Sequence, residues 1–427
     1  MQYFEYPDRK DWASLLARPA FDTTQLFDTV NQILTDVKTR GDEAILEYEE
    51  KFDKVRLQHV QVSIEELKNS EHFVPTELKE AILIAKNNIA RFHAAQEYAC
   101  PNVETTAGVH CWQKNLPIEK VGLYIPGGSA PLFSTVLMLA VPAQIAGCKE
   151  IVLCSPPNAN GDIHSAILYA AYISGVTQVY KIGGVQAIAA MAYGTETVPK
   201  VYKIFGPGNQ YVTAAKQLVS LKDVAIDMPA GPSEVEVIAD ETANPAFVAA
   251  DLLSQAEHGA DSSAILLTTC NNLGQSVQQE LEKQIPLLSR KDIAYKAMEN
   301  SKIILFRTMD EIVECSNEYA PEHLIISTKE YASIANKITN AGSIFLGHLT
   351  PESAGDYASG TNHTLPTNGY AKAYSGVNLD SFKKKITYQE LTKEGLLNIG
   401  KSIEIMAENE LLTAHKNAVT LRLQSLL

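Results

Sequence analysis

Four short stretches of the sequence carry the residue types that metal-assisted and acid–base chemistry require. Ser254-Gln255-Ala-Glu257-His258-Gly259 closes a helical segment and sets Gln255 and His258 three apart, on one face from which both could grip one ion. A His before Gly is equally an ordinary helix-end cation, so this pair alone decides nothing. Pro351-Glu-Ser-Ala-Gly-Asp356-Tyr-Ala-Ser-Gly-Thr-Asn-His363 places an acid and a His in a Gly-rich loop, where Gly355 and Gly360 free the backbone to present both side chains. Glu410-Leu-Leu-Thr-Ala-His415, near the C-terminus, reads by itself as helix surface. Gln, His, Asp and His together form an oxygen/nitrogen set without sulfur. That set suits zinc, or Mn and Co in its place, in a catalytic site rather than a closed structural one.

Tyr319-Ala-Pro321-Glu322-His323-Leu-Ile-Ile joins a helix to an apolar strand. A His titrating near neutrality is the natural proton acceptor for an alcohol losing hydride, and a neighbouring carboxylate could activate water. Adjacent strand residues point to opposite faces, so the two act together only from the turn before Leu324. His59, His72, His93, His110 and His164 lie among ordinary residues and read as structural. The motif H-E-x-x-H is absent, which argues against a zincin protease. Gly206-Pro-Gly208-Asn209 holds only the first half of the dinucleotide fingerprint G-x-G-x-x-G.

These residues need a scaffold, and the apolar pattern describes one. Asp28 to Phe52 reads as an amphipathic helix interrupted at Arg40-Gly41-Asp42, and Pro75 to His93 carries an apolar stripe of Leu78, Ile82, Ala85, Ile89 and Phe92. The first ~120 residues read as helical throughout. Val121–Ile125, stopped by Pro126-Gly127-Gly128, Glu150–Cys154, Val176–Ile182 and Val201–Phe205 are strand-like; each ends in Gly or Pro and leads into a helix. That is the pattern of parallel βα units with ligand loops at the strand carboxyl ends. Glu234–Ala239, Ser263–Thr269, Lys302–Arg307, His323–Ser327 and Ser343–Leu346 form a second series. A long loop, Gly347–Ser381, and a helical region from Tyr388 follow. The expected fold class is α/β: two Rossmann-like parallel-sheet units with helical N-terminal and C-terminal extensions.

Composition sets outer limits. The 427 residues are 45% hydrophobic and 20% charged, enough apolar content to bury a core. A net charge of −14 with no basic cluster argues against nucleic acid as a partner. No stretch approaches the ~18 unbroken apolar residues of a membrane span. The start, MQYFEYPDRK, lacks a basic region followed by an apolar run, so a cytoplasmic location is expected. Six cysteines without a C-x-x-C pair read as reduced thiols.

The longer motifs carry a resemblance. VGLYIPGGSAPLFSTVLM, KIFGPGN, DMPAGPSEV, DLLSQAEHG, YAPEHLII, ESAGDYASGTNH and LTAHKNAVTLR make the chain similar to the histidinol dehydrogenase family over essentially its whole length. Thr361 and Thr364 stand where members of that family often have Pro and Val. The resemblance implies NAD-dependent, zinc-containing oxidation of L-histidinol through L-histidinaldehyde to L-histidine, the last step of histidine biosynthesis, with one zinc per subunit. It implies Gln255, His258, Asp356 and His415 as zinc ligands and Glu322 and His323 as the acid/base pair. Ser233, His363 and Glu410 match substrate-contacting positions alongside the ligands and His323; Tyr124, Gln186 and Asn209 match the NAD site. It also implies a homodimer with shared active sites, His415 serving the partner subunit. The expected organisation is an arm at 1–21, a helical part at 22–120 packing with the second α/β unit, an NAD-binding first unit at 121–232, a zinc and catalytic unit at 233–380, and a C-terminal helical tail at 381–427. Two other readings remain: a dehydrogenase acting on a different amino alcohol or diol, and a zinc hydrolase using Glu322.

Overall fold

A computed structural model describes residues 1–18, 23–127, 130–229 and 231–426. Gly128, within the expected Pro126-Gly127-Gly128 stop, and the end of the expected arm at 19–21 lie outside the described residues. In chain order the strands are β1 (Gln2–Glu5), β2 (Val103–Thr106), β3 (Val109–Pro117), β4 (Lys120–Tyr124), β5 (Glu150–Ser155), β6 (Gln178–Lys181), β7 (Lys203–Phe205), β8 (Ala225–Ile226), β9 (Glu234–Ala239), β10 (Ser263–Thr268), β11 (Lys302–Leu305), β12 (His323–Ser327), β13 (Ser343–Leu346) and β14 (Lys383–Leu391). They form a five-stranded sheet ordered β6-β5-β4-β7-β8, a six-stranded sheet ordered β1-β11-β10-β9-β12-β13, and a three-stranded sheet ordered β14-β3-β2. All pairings in the first two sheets are parallel. The α/β expectation with two parallel sheets is met.

The chain divides into two compact units, Met1–Ala95 with Glu119–Phe382, and Gln96–Ile118 with Lys383–Leu427. Within the larger unit, β9, β10 and β12 are buried along their whole length. Central parallel strands covered on both faces tend to read as continuous apolar runs, as β10 and β12 do, whereas β9 alternates Glu234 and Glu236 with valine. The helix Phe27–Arg40 buries Val30, Ile33, Leu34 and Val37, a stripe at helical spacing. That stripe joins Tyr124, Val152, Ile188 and Ile204 in the core of the five-stranded sheet. The helical part at 22–120 was expected on the second unit; this helix instead packs on the first, because the stripe matches the apolar helices Gly184–Tyr193 and Gln210–Ser220 there. The arm contributes β1, which extends the six-stranded sheet beside β11.

The smaller unit corrects the helical expectation for residues 96–118 and 381–391. β14 runs antiparallel to β3, pairing Tyr388 with Trp112, whose rings stack 5.4 Å apart. β14 is largely exposed and begins with three lysines, and β3 is mostly half-buried with polar residues along it, so no buried apolar run announced them. The helices Lys393–Asn409 and Thr413–Gln424 complete this unit. No helix among the described residues is long and apolar enough to cross a membrane.

Candidate active site

The larger unit carries a cleft of about 540 Å³ where loops of the five-stranded sheet meet the amino ends of strands in the six-stranded sheet. From the first sheet come Pro126, after β4, and Gly206-Pro207-Gly208-Asn209, after β7. β4 and β7 are adjacent in the sheet, and the strand order reverses between them, the usual ligand position in an open α/β sheet. Gly206 has φ +121°, and a Cβ there would lie 2.1 Å from the Tyr124 carbonyl oxygen, so only glycine fits. Its N–H donates to Asp227 at 2.9 Å and its carbonyl accepts from Lys216 at 2.8 Å. Lys216 and Asp227 pair at 2.5 Å with both side chains buried, which fixes the loop on two sides.

The second sheet departs from the expectation of ligand loops at carboxyl ends. Ser233, Glu322 and His323 reach the cleft from the amino ends of β9 and β12. The first N–H of a strand is free to bind a side chain, and Glu234 uses it: its N–H donates to Glu322 at 2.9 Å. The Glu234 carbonyl lies 3.2 Å from His323 Nδ1. An Nδ1–H donated there leaves Nε2 as the basic nitrogen. Nε2 is buried without a hydrogen-bond partner and stands 3.6 Å from Asp356.

Gln255 and His258 come from the end of the helix Pro245–Ala256 and its following turn. Gln255 is buried, and its amide nitrogen donates to Glu322 at 3.3 Å. His258 opens to the cleft, yet desolvation by the surrounding walls holds its pKa below the usual histidine value, favouring the neutral, ligand-competent ring. Asp356 lies on the helical turn Ala354–Ala358. Burial alone would raise its pKa, but the His323, His363 and His258 rings lower it. His363 Nδ1 donates to the Asp356 carbonyl at 2.9 Å while its Nε2 meets the Thr135 hydroxyl at 3.2 Å.

Burial pushes the Glu322 carboxyl up to about 7. Burial disfavours a charged His323, but the carboxylates of Glu352, Glu322 and Asp356 outweigh it and raise the ring to about 10. Glu352 was not singled out in the sequence. It is fully buried, 3.7 Å from His323 Nδ1, and Ser254 donates to its other oxygen at 3.2 Å. The signal existed: Glu352 and Asp356 are four apart, a spacing that aligns two side chains on one helical turn.

Seven expected residues therefore share this cleft: Ser233, Gln255, His258, Glu322, His323, Asp356 and His363. Asn209 lines it as well, its side chain capping the helix Gln210–Ser220 through the N–H groups of Tyr211 and Val212. Tyr124 and Gln186 are buried beside the start of the helix Gly184–Tyr193. Tyr124 accepts the Gly184 N–H at 3.1 Å, and Gln186 donates to Glu49 at 2.8 Å. Glu410 and His415 belong to the smaller unit and are exposed.

The donor chemistry fits a divalent cation of intermediate softness. Gln255 Oε1, His323 Nε2 and Glu352 Oε1 are buried without partners. His323, Glu352 and Asp356 offer ligand atoms within 4.8 Å of one another, a group that shares only Asp356 with the expected ligand set.

The family model for histidinol dehydrogenase matches residues 16–423. A histidinol dehydrogenase of Bacteroides thetaiotaomicron is 65% identical over 426 residues, covering 100% of both chains. One of Escherichia coli is 54% identical over 415 residues, 96% of this chain and 95% of that protein. The crystal structure of histidinol dehydrogenase from Elizabethkingia anophelis superposes with a TM-score of 0.98 at 55% identity, covering 100% of this chain and 98% of that one.

Proposed function

The chain belongs to the histidinol dehydrogenase family, and from that premise we propose that it oxidises L-histidinol through L-histidinaldehyde to L-histidine, using two NAD. The observation that carries the mechanism is the buried Glu322–His323 pair, with Nδ1 facing the Glu234 carbonyl and Nε2 unpartnered. In the first half-reaction His323 Nε2 takes the hydroxyl proton as hydride leaves the carbinol carbon. In the second, Glu322 takes a proton from water as the water oxygen bonds to the aldehyde carbon, and protonated His323 returns its proton to the aldehyde oxygen, giving the hydrate and a neutral ring. His323 then takes the hydroxyl proton of the resulting hydrate as the second hydride leaves.

NAD supplies the hydride acceptor, and Tyr124, Gln186 and Asn209 are the residues we assign to it. Their support is their place on the first sheet, at the end of β4 and after β6 and β7. Gln255, His258 and Asp356 would hold zinc, with His415 from a second copy of the chain as the fourth ligand. Zinc so held would anchor the substrate's imidazole and amine as an orienting template. Ser233 and His363, with Glu410 of the second copy, would complete the substrate site. The homodimer is supported by the exposure of Glu410 and His415, which the larger unit does not contain. Six unpaired cysteines support a reducing, cytoplasmic setting.

The test is stoichiometric. Two NADH should form per histidinol consumed, and a chelator should abolish both. One NADH per histidinol would remove the second half-reaction, and turnover without NAD would favour a hydrolase.

A further inference from the structure

Arg18 lies in the N-terminal arm, 216 residues from Glu234, and none of the expected site residues includes either. Its guanidinium forks onto the Glu234 carboxylate, Nε to Oε1 at 2.5 Å and Nη2 to Oε2 at 2.8 Å. Nη2 also donates to the Tyr319 carbonyl at 2.8 Å, and the guanidinium stands 3.9 Å over the Tyr319 ring. The pair is well shielded, with side-chain exposures of 17% for Arg18 and 3% for Glu234.

What this clamp holds matters more than its strength. Glu234 is the residue whose N–H binds Glu322 and whose carbonyl faces His323. Tyr319 ends the helix Met309–Tyr319, and Ala320 behind it sits at φ +54°, a left-handed conformation that a side chain resists. Pro321, Glu322 and His323 follow directly. The Glu234 carboxylate also accepts the Asn368 N–H at 2.8 Å, one residue past Thr367 on the cleft wall. One guanidinium thus joins both main-chain segments that fix the acid–base pair. A planar fork can do this; a lysine ammonium cannot bind two carboxylate oxygens and a carbonyl in one plane.

We propose that Arg18 is a positioning residue for the proton-transfer pair, acting through Glu234 and the Tyr319–Ala320 turn. The inference rests on the reading that Glu322 and His323 move the protons. Displacing reacting groups by about 1 Å can cost ~10²-fold in rate, so Arg18→Met should lower kcat 10- to 100-fold in both half-reactions, in the manner of other distant positioning changes. KM for histidinol and for NAD should move less than about threefold, because substrate contacts stay in place. Arg18→Lys should recover only part of kcat.

Arg18→Met also strands a buried carboxylate and could unfold the chain. The double variant Arg18→Met/Glu234→Gln removes that charge and keeps the Glu234 backbone. The experiment measures thermal melting, kcat and both KM values of the zinc-loaded enzyme for Arg18→Lys, Arg18→Met, the double variant and His323→Asn. The proposal expects the double variant to melt near wild type while kcat stays depressed. A purely structural role would restore kcat together with stability, and that result, or a loss confined to KM, overturns the inference. Full turnover by His323→Asn would remove the premise itself, a failure distinguishable from the first.

Discussion

A carboxylate oxygen of Glu352 without a hydrogen-bond partner stands 3.7 Å from Nδ1 of His323, both inside the fold. With Glu322 at 3.7 Å on the same nitrogen and Asp356 at 3.6 Å from the other, the ring is surrounded by acid. Its pKa rises to about 10 despite burial, so without a cation His323 is protonated at neutral pH. A general base must be neutral, which ties its readiness to whatever engages those carboxylates.

The first prediction follows. In metal-free protein, NMR titration should show one imidazole staying protonated past pH 8, its signal absent in His323→Asn. Glu352→Gln removes one raising charge, so this titration should move to lower pH. Movement to higher pH, or none, would show that Glu352 does not act on the ring.

The second concerns metal. His258→Asn should lose bound zinc by elemental analysis and lose activity, while thermal melting of the metal-free proteins coincides. A variant with full metal content and normal turnover would remove His258 from the ligand set.

The third concerns a group away from the site. Glu236, in the middle of β9, is fully buried and burial raises its pKa to about 8. Its folded pKa exceeds its unfolded value, so its stability contribution is greatest below the unfolded pKa and is lost as pH rises through about 8. Glu236→Gln should therefore stabilise the protein at pH 9 by on the order of a few kcal/mol, with the gain shrinking towards pH 5. Melting curves that shift equally at both pH values would contradict the buried neutral acid.

The fourth concerns the second copy. Inactive His258→Asn and inactive His415→Asn chains, mixed under subunit exchange, should regain activity, up to roughly one intact site per mixed dimer. If His415 serves its own chain, every site keeps a lesion, and the mixture stays dead although tagged pull-down shows exchange.

Much of this architecture was legible because burial writes itself into sequence. β9 and β12, buried along their whole length, begin and end at the residues expected. β14 was not, since its Lys-rich strand is exposed along most of its length and its partner β3 lies far away in sequence. Asp356 and His363 were legible from residue type and their Gly-rich loop, while the spacing of Gln255 and His258 decided nothing until the family resemblance was added; the cleft gathers all four. Glu234 and Glu236 were not. Alternating with valine, they read as the wet face of a strand, yet they are 2% and 0% exposed. Only the fold reveals that Arg18 neutralises Glu234 and that its main chain serves the neighbouring strand.

The most direct test of the whole account separates the two half-reactions. Glu322→Gln and His323→Asn, loaded with zinc and NAD, are given histidinol or histidinaldehyde, and the rate of each NADH-forming step is measured in a single turnover. General acid–base groups contribute ~10²–10⁴-fold, so His323→Asn should slow both steps by amounts in that range. Glu322→Gln should slow aldehyde oxidation by a similar factor while leaving alcohol oxidation within a few-fold of wild type, and histidinaldehyde should accumulate. Equal losses in both steps for Glu322→Gln would contradict the division of labour between these two residues.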